Sequence, residues 1–281
     1  MGELEKGLTI RRILVALDAS THSLAALEAA AELAASLKAE LIGLYVEDEN
    51  LVHLAGLPFA SEVRSPSAAS KRVSSHEMEA ALRLQASQAR QALEAAASRA
   101  RAQWSFQIVR GQVTASILAA ALEADLLAMG RIGRPISSRS HLGSSARAAM
   151  GGTGGSVLVM KQGGHLHYPV LVTFDGSAAA RQALKAAAQL AQSGSANLNV
   201  LLLGKVEERP DLEQEAAALL EKMGVNISFH GMADMSVAKL VAMIETADDC
   251  VLVLGGDNPL LEADNIQELL DRTDCPVMLV R

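Results

Sequence analysis

Aromatic residues are scarce in this chain of 281 residues: four phenylalanines, two tyrosines and one tryptophan. Half of the residues are nonetheless hydrophobic, so any core must be built from Ala, Leu, Val, Ile and Met. Only two cysteines occur, Cys250 and Cys275, with neither C-x-x-C nor metal-ligand spacing. That excludes a disulfide framework and suits a reducing compartment, where Cys acts mostly as a small buried hydrophobe. The net charge is −7, which argues against a nucleic-acid binder with a broad basic face. No uncharged apolar run reaches the length of a membrane span. The first residues, "MGELEKGLTIRR", lack the apolar core of a signal peptide, so a cytoplasmic protein with no membrane insertion is expected. The seven histidines (His22, His53, His76, His141, His165, His167 and His230) show no metal-binding spacing. A Walker A loop, a G-x-G-x-x-G fingerprint and a G-x-S-x-G nucleophile elbow are all missing.

What the chain does contain is a repeat. "RRILVALDASTHSLAALEAAAELAASLKAELIGLYV" from Arg11 aligns without a gap with "YPVLVTFDGSAAARQALKAAAQLAQSGSANLNVLLL" from Tyr168. Asp18 falls on Asp175, Ser20 on Ser177 and Leu41 on Leu198. Later, "ADLLAMG" (124–130) matches "DCVLVLG" (249–255), and "SVLVM" (156–160) matches "PVMLV" (276–280). Two homologous domains are expected, residues 1–164 and 165–281, the second shorter. "KQGGHLHY" (161–168) is the linker, flexible at Gly163–Gly164.

Each copy alternates strand and helix. "RILVAL", "AELIGLYV", "WSFQIVRG", "DLLAMG" and "SVLVM" are short, nearly continuous apolar runs, the pattern of strands covered on both faces. Helices are expected at about 21–38, 76–102, 113–123 and 144–151, the first capped by Ser20. Such alternation predicts right-handed crossovers and a doubly wound α/β sheet. Residues 47–75 read as an excursion over the surface.

In an open α/β sheet, ligands bind beyond the carboxyl ends of the strands. The stretch "MGRIGRPISSRSHLGSS" (129–145) follows the fourth strand. Gly130 and Gly133 would let the backbone adopt positive φ and approach a ligand closely. Gly143, Ser144 and Ser145 then open a helix, whose free N–H groups and positive dipole end suit an anion. Arg131, Arg134 and Arg139 would add positive charge. A plain surface loop with turn glycines and a serine cap is the competing reading.

The spacing G-x2-G-x9-G-S, with "VALDAS" after strand one and "VLV" in the last strand, resembles the universal stress protein family in its tandem two-domain form and ATP-binding branch. The resemblance implies two Rossmann-like domains of the adenine nucleotide alpha hydrolase type, each a five-stranded parallel sheet in order 3-2-1-4-5. It implies that Asp18 faces the nucleotide and that the Val46 backbone meets adenine. Met129 and Gly130 would line the ribose and phosphates, and Gly133, Gly143, Ser144 and Ser145 would hold the phosphates. ATP, ADP or AMP is the expected ligand; Mg²⁺ on the phosphates would take Asp18 as its carboxylate. Residues 157–160 and 277–280 are expected to pair antiparallel, copying the family's dimer as an internal pseudo-two-fold, and two chains to associate as a homodimer.

The second copy departs from this pattern. After "VLVLGG" it reads "DNPLLEADNIQELLDRTDCPVMLV", without a second glycine or G-S and with Asp257, Glu262 and Asp264 adding negative charge. One nucleotide per chain is therefore expected, in a stress-response binding module rather than an enzyme. Two rivals stay open: a slow Mg-dependent ATPase or nucleotide hydrolase using Asp18, and a nucleotide-free scaffold for a protein or small apolar ligand.

Overall fold

The computed structural model describes residues 10–18, 20–57, 61–64, 69–72, 74–131, 143–161, 163, 166, 169–194, 196–232, 236–246, 250–256, 263–273 and 275–281. The first half contains β1 (Arg12–Leu17), α1 (Thr21–Leu37), β2 (Glu40–Asp48), α2 (Glu49–Ala55), β3 (Ser61–Arg64), β4 (Ala69–Arg72) and α3 (Ser75–Ala100), followed by β5 (Gln103–Gly111), α4 (Val113–Ala121), β6 (Leu126–Gly130), α5 (Ser144–Gly152) and β7 (Ser156–Met160). The second half contains β8 (Val170–Phe174), α6 (Ala178–Gly194), β9 (Leu198–Leu203), α7 (Arg209–Leu220) and β10 (Ile227–Met232), followed by α8 (Val237–Thr246), β11 (Val251–Gly255), α9 (Ala263–Arg272) and β12 (Val277–Val280).

The helix starts follow from local chemistry. Ser20 caps α1, its hydroxyl accepting the Ser23 N–H at 3.1 Å. At α3, Ser74 and Glu77 form a reciprocal capping box: the Glu77 N–H donates to the Ser74 hydroxyl and the Ser74 N–H to the Glu77 carboxylate. The described residues of the excursion at 47–75 include a helix and a pair of strands. Asp48 accepts the Asn50 N–H at 2.9 Å and starts α2, which buries Val52 and Ala55; β3 and β4 pair as an antiparallel hairpin.

Ten strands form one sheet in the order β10-β9-β8-β11-β12-β7-β6-β1-β2-β5. Numbered within each half, both halves have the expected order 3-2-1-4-5 with parallel pairing. The seam is the antiparallel pair β7–β12, with Val277 opposite Val159 and Leu279 opposite Val157. Strand direction therefore reverses at the seam. The carboxyl edge of the first half lies at the same end of the sheet as the amino edge of the second.

Both faces are covered, so the central strands are apolar on both sides; every residue of β7 is buried. Its alternation feeds two cores. Leu158 and Met160 join the core that holds Leu27, Leu93 and Phe174. Val157 and Val159 join the opposite one, with Ile117, Met150 and Leu240. Both cores run through the seam, where each fully buried aliphatic side chain contributes about 1.5–3 kcal/mol. Alanines at 26, 30 and 34 on α1, and at 183, 187 and 191 on α6, let these helices lie close to the sheet without aromatic bulk.

Candidate functional site

The carboxyl edge of the first half gathers Asp18, the end of β2, Gly111, Gly130 and the starts of α1, α4 and α5. Asp18 sits where β1 turns into α1. Its Oδ1 accepts the Ser20 N–H at 2.9 Å, and its own N–H lies 3.5 Å from the Ser23 hydroxyl. The second half repeats this arrangement: Asp175 accepts the Ser177 N–H at 2.9 Å, and the Ser177 hydroxyl accepts the Ala180 N–H at 3.1 Å. The repeated D-x-S is thus first of all a helix-starting turn. Val46 lies half-buried on β2, and Met129 is buried; both pack into the core beneath the edge.

Gly130 differs from its expectation. Among the described residues, the glycines with positive φ are Gly163, Gly176 and Gly224, so Gly130 is not in that region. Its role is close approach. A Cβ there would lie 2.8 Å from both the His22 carbonyl carbon and the Ser23 nitrogen. Gly255, its counterpart, meets α6 in the same way, 2.8 Å from the Ala179 carbonyl carbon. Gly133, Arg134 and Arg139 fall outside the described residues.

Two helix starts meet beyond β6. Gly143 is the N-cap of α5, at φ −65° and ψ 150°, and Gln112 is the N-cap of α4; neither supplies a side-chain cap. The Thr114 and Ser145 hydroxyl oxygens are 2.9 Å apart and join the two first turns. The Gly143 N–H donates to the Arg131 carbonyl at 2.8 Å, closing the base of the glycine-rich segment. Ser144 is exposed. First-turn N–H groups that no side chain caps, backed by the helix dipoles, are suited to an anion.

Arg131 does not join this cluster. It is 5 % exposed, and its Nη1 donates to the Thr273 carbonyl oxygen at 2.6 Å, across the seam. The seam explains this: the carboxyl end of β6 faces the amino edge of the second half, where α9 ends in a carbonyl seeking a donor. Arg281 makes the opposite crossing, donating to the Thr153 carbonyl oxygen and, at 2.5 Å, to the Met150 carbonyl oxygen. Arg131 is therefore an inter-half tie, not phosphate-binding charge.

His22, which the sequence did not single out, lies among the charges of this edge. Burial lowers its pKa below 6.5, helped by the positive charges of Arg131 and Lys161 and opposed by Asp18.

The second half's carboxyl edge is filled by α7. A Cβ on Gly204 would lie 3.0 Å from Leu212 Cδ1 and 3.2 Å from Glu208 Oε2; one on Gly176 would lie 3.1 Å from Leu212 Cδ2. Arg209 packs against Gly231, and Glu215 accepts a hydrogen bond from Arg181. In the first half the positions matching Gly176 and Gly204 are Ala19 and Glu47, and the chain after β2 goes into α2 instead. Among the described residues, no three His, Cys, Asp or Glu side chains converge as a metal site. No described helix is long and apolar enough to cross a membrane.

If Gly130 serves packing, Gly130→Ala and Gly255→Ala should each destabilise the fold by about 1–3 kcal/mol, although no glycine-rich loop follows Gly255. Urea unfolding tests this; an effect at Gly130 alone would contradict it. For His22, the unfolded chain binds more protons than the folded one below pH 6.5, so its contribution to stability is present above that value and is lost as pH falls towards the folded pKa. An NMR titration should give a His22 midpoint below 6.5, and His22→Gln should flatten the loss of stability across that window. A midpoint at or above that of a free imidazole would contradict the assignment.

The fold has clear relatives. A universal stress protein from Archaeoglobus fulgidus DSM 4304 superposes with a TM-score of 0.70 at 15% identity, covering 96% of this chain and 98% of that one. The protein PA1789 from Pseudomonas aeruginosa PAO1, described as functionally unknown, gives 0.58 at 15% identity, covering 97% and 93%. A universal stress protein solved in complex with cAMP gives 0.37 at 21% identity, covering 55% and 99%. No curated protein matches the chain. The sequence pattern of the universal stress protein family matches residues 9–161, where the capped strand-one turn, the parallel strands and the paired helix starts are found, and the chain belongs to that family.

Proposed function

We propose that residues 1–164 form an adenine-nucleotide-binding domain and that residues 165–281 form a degenerate partner domain without a nucleotide site. The observation that carries this reading is the meeting of α4 and α5: two first turns without side-chain caps, side by side at the carboxyl edge of the first half. Triphosphate oxygens would accept from the N–H groups after Gly143 and from the Ser144 and Ser145 hydroxyls, with Gly133 in the intervening loop. Adenine would meet the backbone at Val46, and the ribose would lie over Met129 and Gly130. Mg²⁺ would bind through phosphate oxygens, with Asp18 as the nearby carboxylate.

The second half supports the asymmetry. Leu212 and Glu208 occupy the space over Gly176 and Gly204, and the carboxylates of Glu208 and Glu215 would repel phosphate. A module that binds ATP and ADP with unequal affinity could change state with the nucleotide supply, which is the energetic requirement for a stress-response regulator. A cytoplasmic homodimer of such chains belongs to the same proposal. Its support is the outer strand β5, where Ile108 is 54% exposed and Val109 37%.

Gly143→Asp separates binding from folding. The backbone at Gly143, φ −65° and ψ 150°, accepts any L-residue, and Asp is an N-cap that should stabilise α5 by roughly a few tenths of a kcal/mol over Gly. The added carboxylate should weaken Mg-ATP binding at least about tenfold, or 1.4 kcal/mol. In the parent protein, bound triphosphate should also raise the His22 midpoint, since a nearby anion favours imidazolium. Unchanged ATP affinity in a folded Gly143→Asp variant would overturn the reading.

A further inference from the structure

The two cysteines are far apart in sequence but adjacent in the fold. Each stands two residues before a partner in the β11–β12 register, Cys250 before Leu252 and Cys275 before Val277, which face each other. The Leu252 N–H donates to the Pro276 carbonyl at 2.9 Å, so pairing continues towards the cysteines. The internal repeat gives independent support. The matching positions in the first half are Asp125 and Gly155, where a Cβ on Gly155 would lie 3.6 Å from the Asp125 carbonyl oxygen. Where the first half has a carboxylate and a glycine, the second has two thiols.

Neither cysteine is in a disulfide, and both are buried, Cys250 at 2 % and Cys275 at 8 % exposure. The Cys250 thiol, hydrogen-bonded to Cys275, lowers the Cys275 pKa; burial opposes this, while the Thr273 hydroxyl, the Cys275 backbone and the Arg131 charge reinforce it. A thiol whose pKa is lowered by a second thiol in contact supplies the two sulfurs that an attacking and a resolving cysteine require. Arg131 is held here by its bond to the Thr273 carbonyl.

We propose that Cys250 and Cys275 form a redox-active dithiol that a hydroperoxide converts into an intramolecular disulfide. Cys275, the more exposed of the two, attacks as thiolate on the peroxide oxygen. An S–O bond forms, the O–O bond breaks, and the departing alkoxide or hydroxide takes a proton. The Cys250 sulfur then attacks the Cys275 sulfur. An S–S bond forms, the S–O bond breaks, and the hydroxyl leaves as water with the Cys250 proton. Overall the dithiol loses two electrons, and the hydroperoxide is reduced to an alcohol, or to water from hydrogen peroxide, with one further water released. The inference does not depend on nucleotide binding.

The test uses the full chain, reduced and then exposed to hydrogen peroxide, denatured with an alkylating maleimide and weighed intact. The expected result is the joint loss of both alkylation sites, a mass lower by two hydrogens, a cross-linked Cys250–Cys275 peptide, and full reversal by dithiothreitol. In Cys250→Ser, Cys275 should stop at the sulfenic acid and take up dimedone. In Cys275→Ser, labelling of Cys250 should be at least about tenfold weaker, because Cys250 is the more deeply buried of the two. Thiols that stay alkylatable, separate oxidation to sulfinic acids, or disulfides between chains would overturn the proposal. The wild-type mass measurement decides the matter even if a variant fails to fold.

Discussion

The antiparallel pairing of β7 with β12 is the constraint on which the rest of the molecule depends. It joins two parallel five-stranded halves into one ten-stranded sheet and closes an edge on each that would otherwise expose unpaired backbone. Because β7 is apolar on both faces, the pairing also fuses the two cores. It reverses strand direction, so the end of each half that carries loops after its strands meets the end of the other that carries helix C-termini. The arginine crossings follow from that meeting. Arg131 and Arg281 donate to carbonyls at the C-terminal ends of α9 and α5, respectively. They are related by the fold, although they arise from different strands of their halves.

The same reversal separates the two carboxyl edges, which can therefore diverge independently. Both keep the D-x-S turn and the glycine that lets strand four approach helix one. These shared features describe the architecture and say little about a ligand. Differences carry the functional argument. In the first half, two helix starts without side-chain caps converge, beside a His22 whose pKa is lowered by burial and by Arg131 and Lys161, against Asp18. In the second, α7 places Leu212, Glu208 and Glu215 over the corresponding ground. A nucleotide site like the one proposed for the first half would require removing a well-packed leucine and neutralising carboxylates, so the difference between the halves lies in packing as well as charge.

Much of this was legible in the sequence because it is written in local patterns. Apolar runs, the gapless repeat and the capping serines gave the strands, the helices and, through the family resemblance, the strand order and the seam. The errors arose where a side chain's partner lies far along the chain. An arginine among glycines reads as a phosphate ligand, yet Arg131 finds Thr273 only once the seam exists. Gly130 was expected to serve through its φ and serves instead through its missing Cβ against α1. Cys250 and Cys275 have no meaningful spacing until strands four and five are placed side by side. The helix α2 within the excursion at 47–75 was not anticipated, because the Asp48 cap is a weak signal in a polar stretch. Of the candidate phosphate site, Gly143, Ser144 and Ser145 are placed at a helix start as expected, while Gly133 lies outside the described residues.

The central claim is functional asymmetry between two halves of one fold. Calorimetric titration of the nucleotide-free chain with Mg-ATP tests it most directly. The account predicts a single binding event with one nucleotide per chain, weakened by Gly143→Asp and unaffected by Asp175→Ala. Two equivalents per chain, or none, would contradict it.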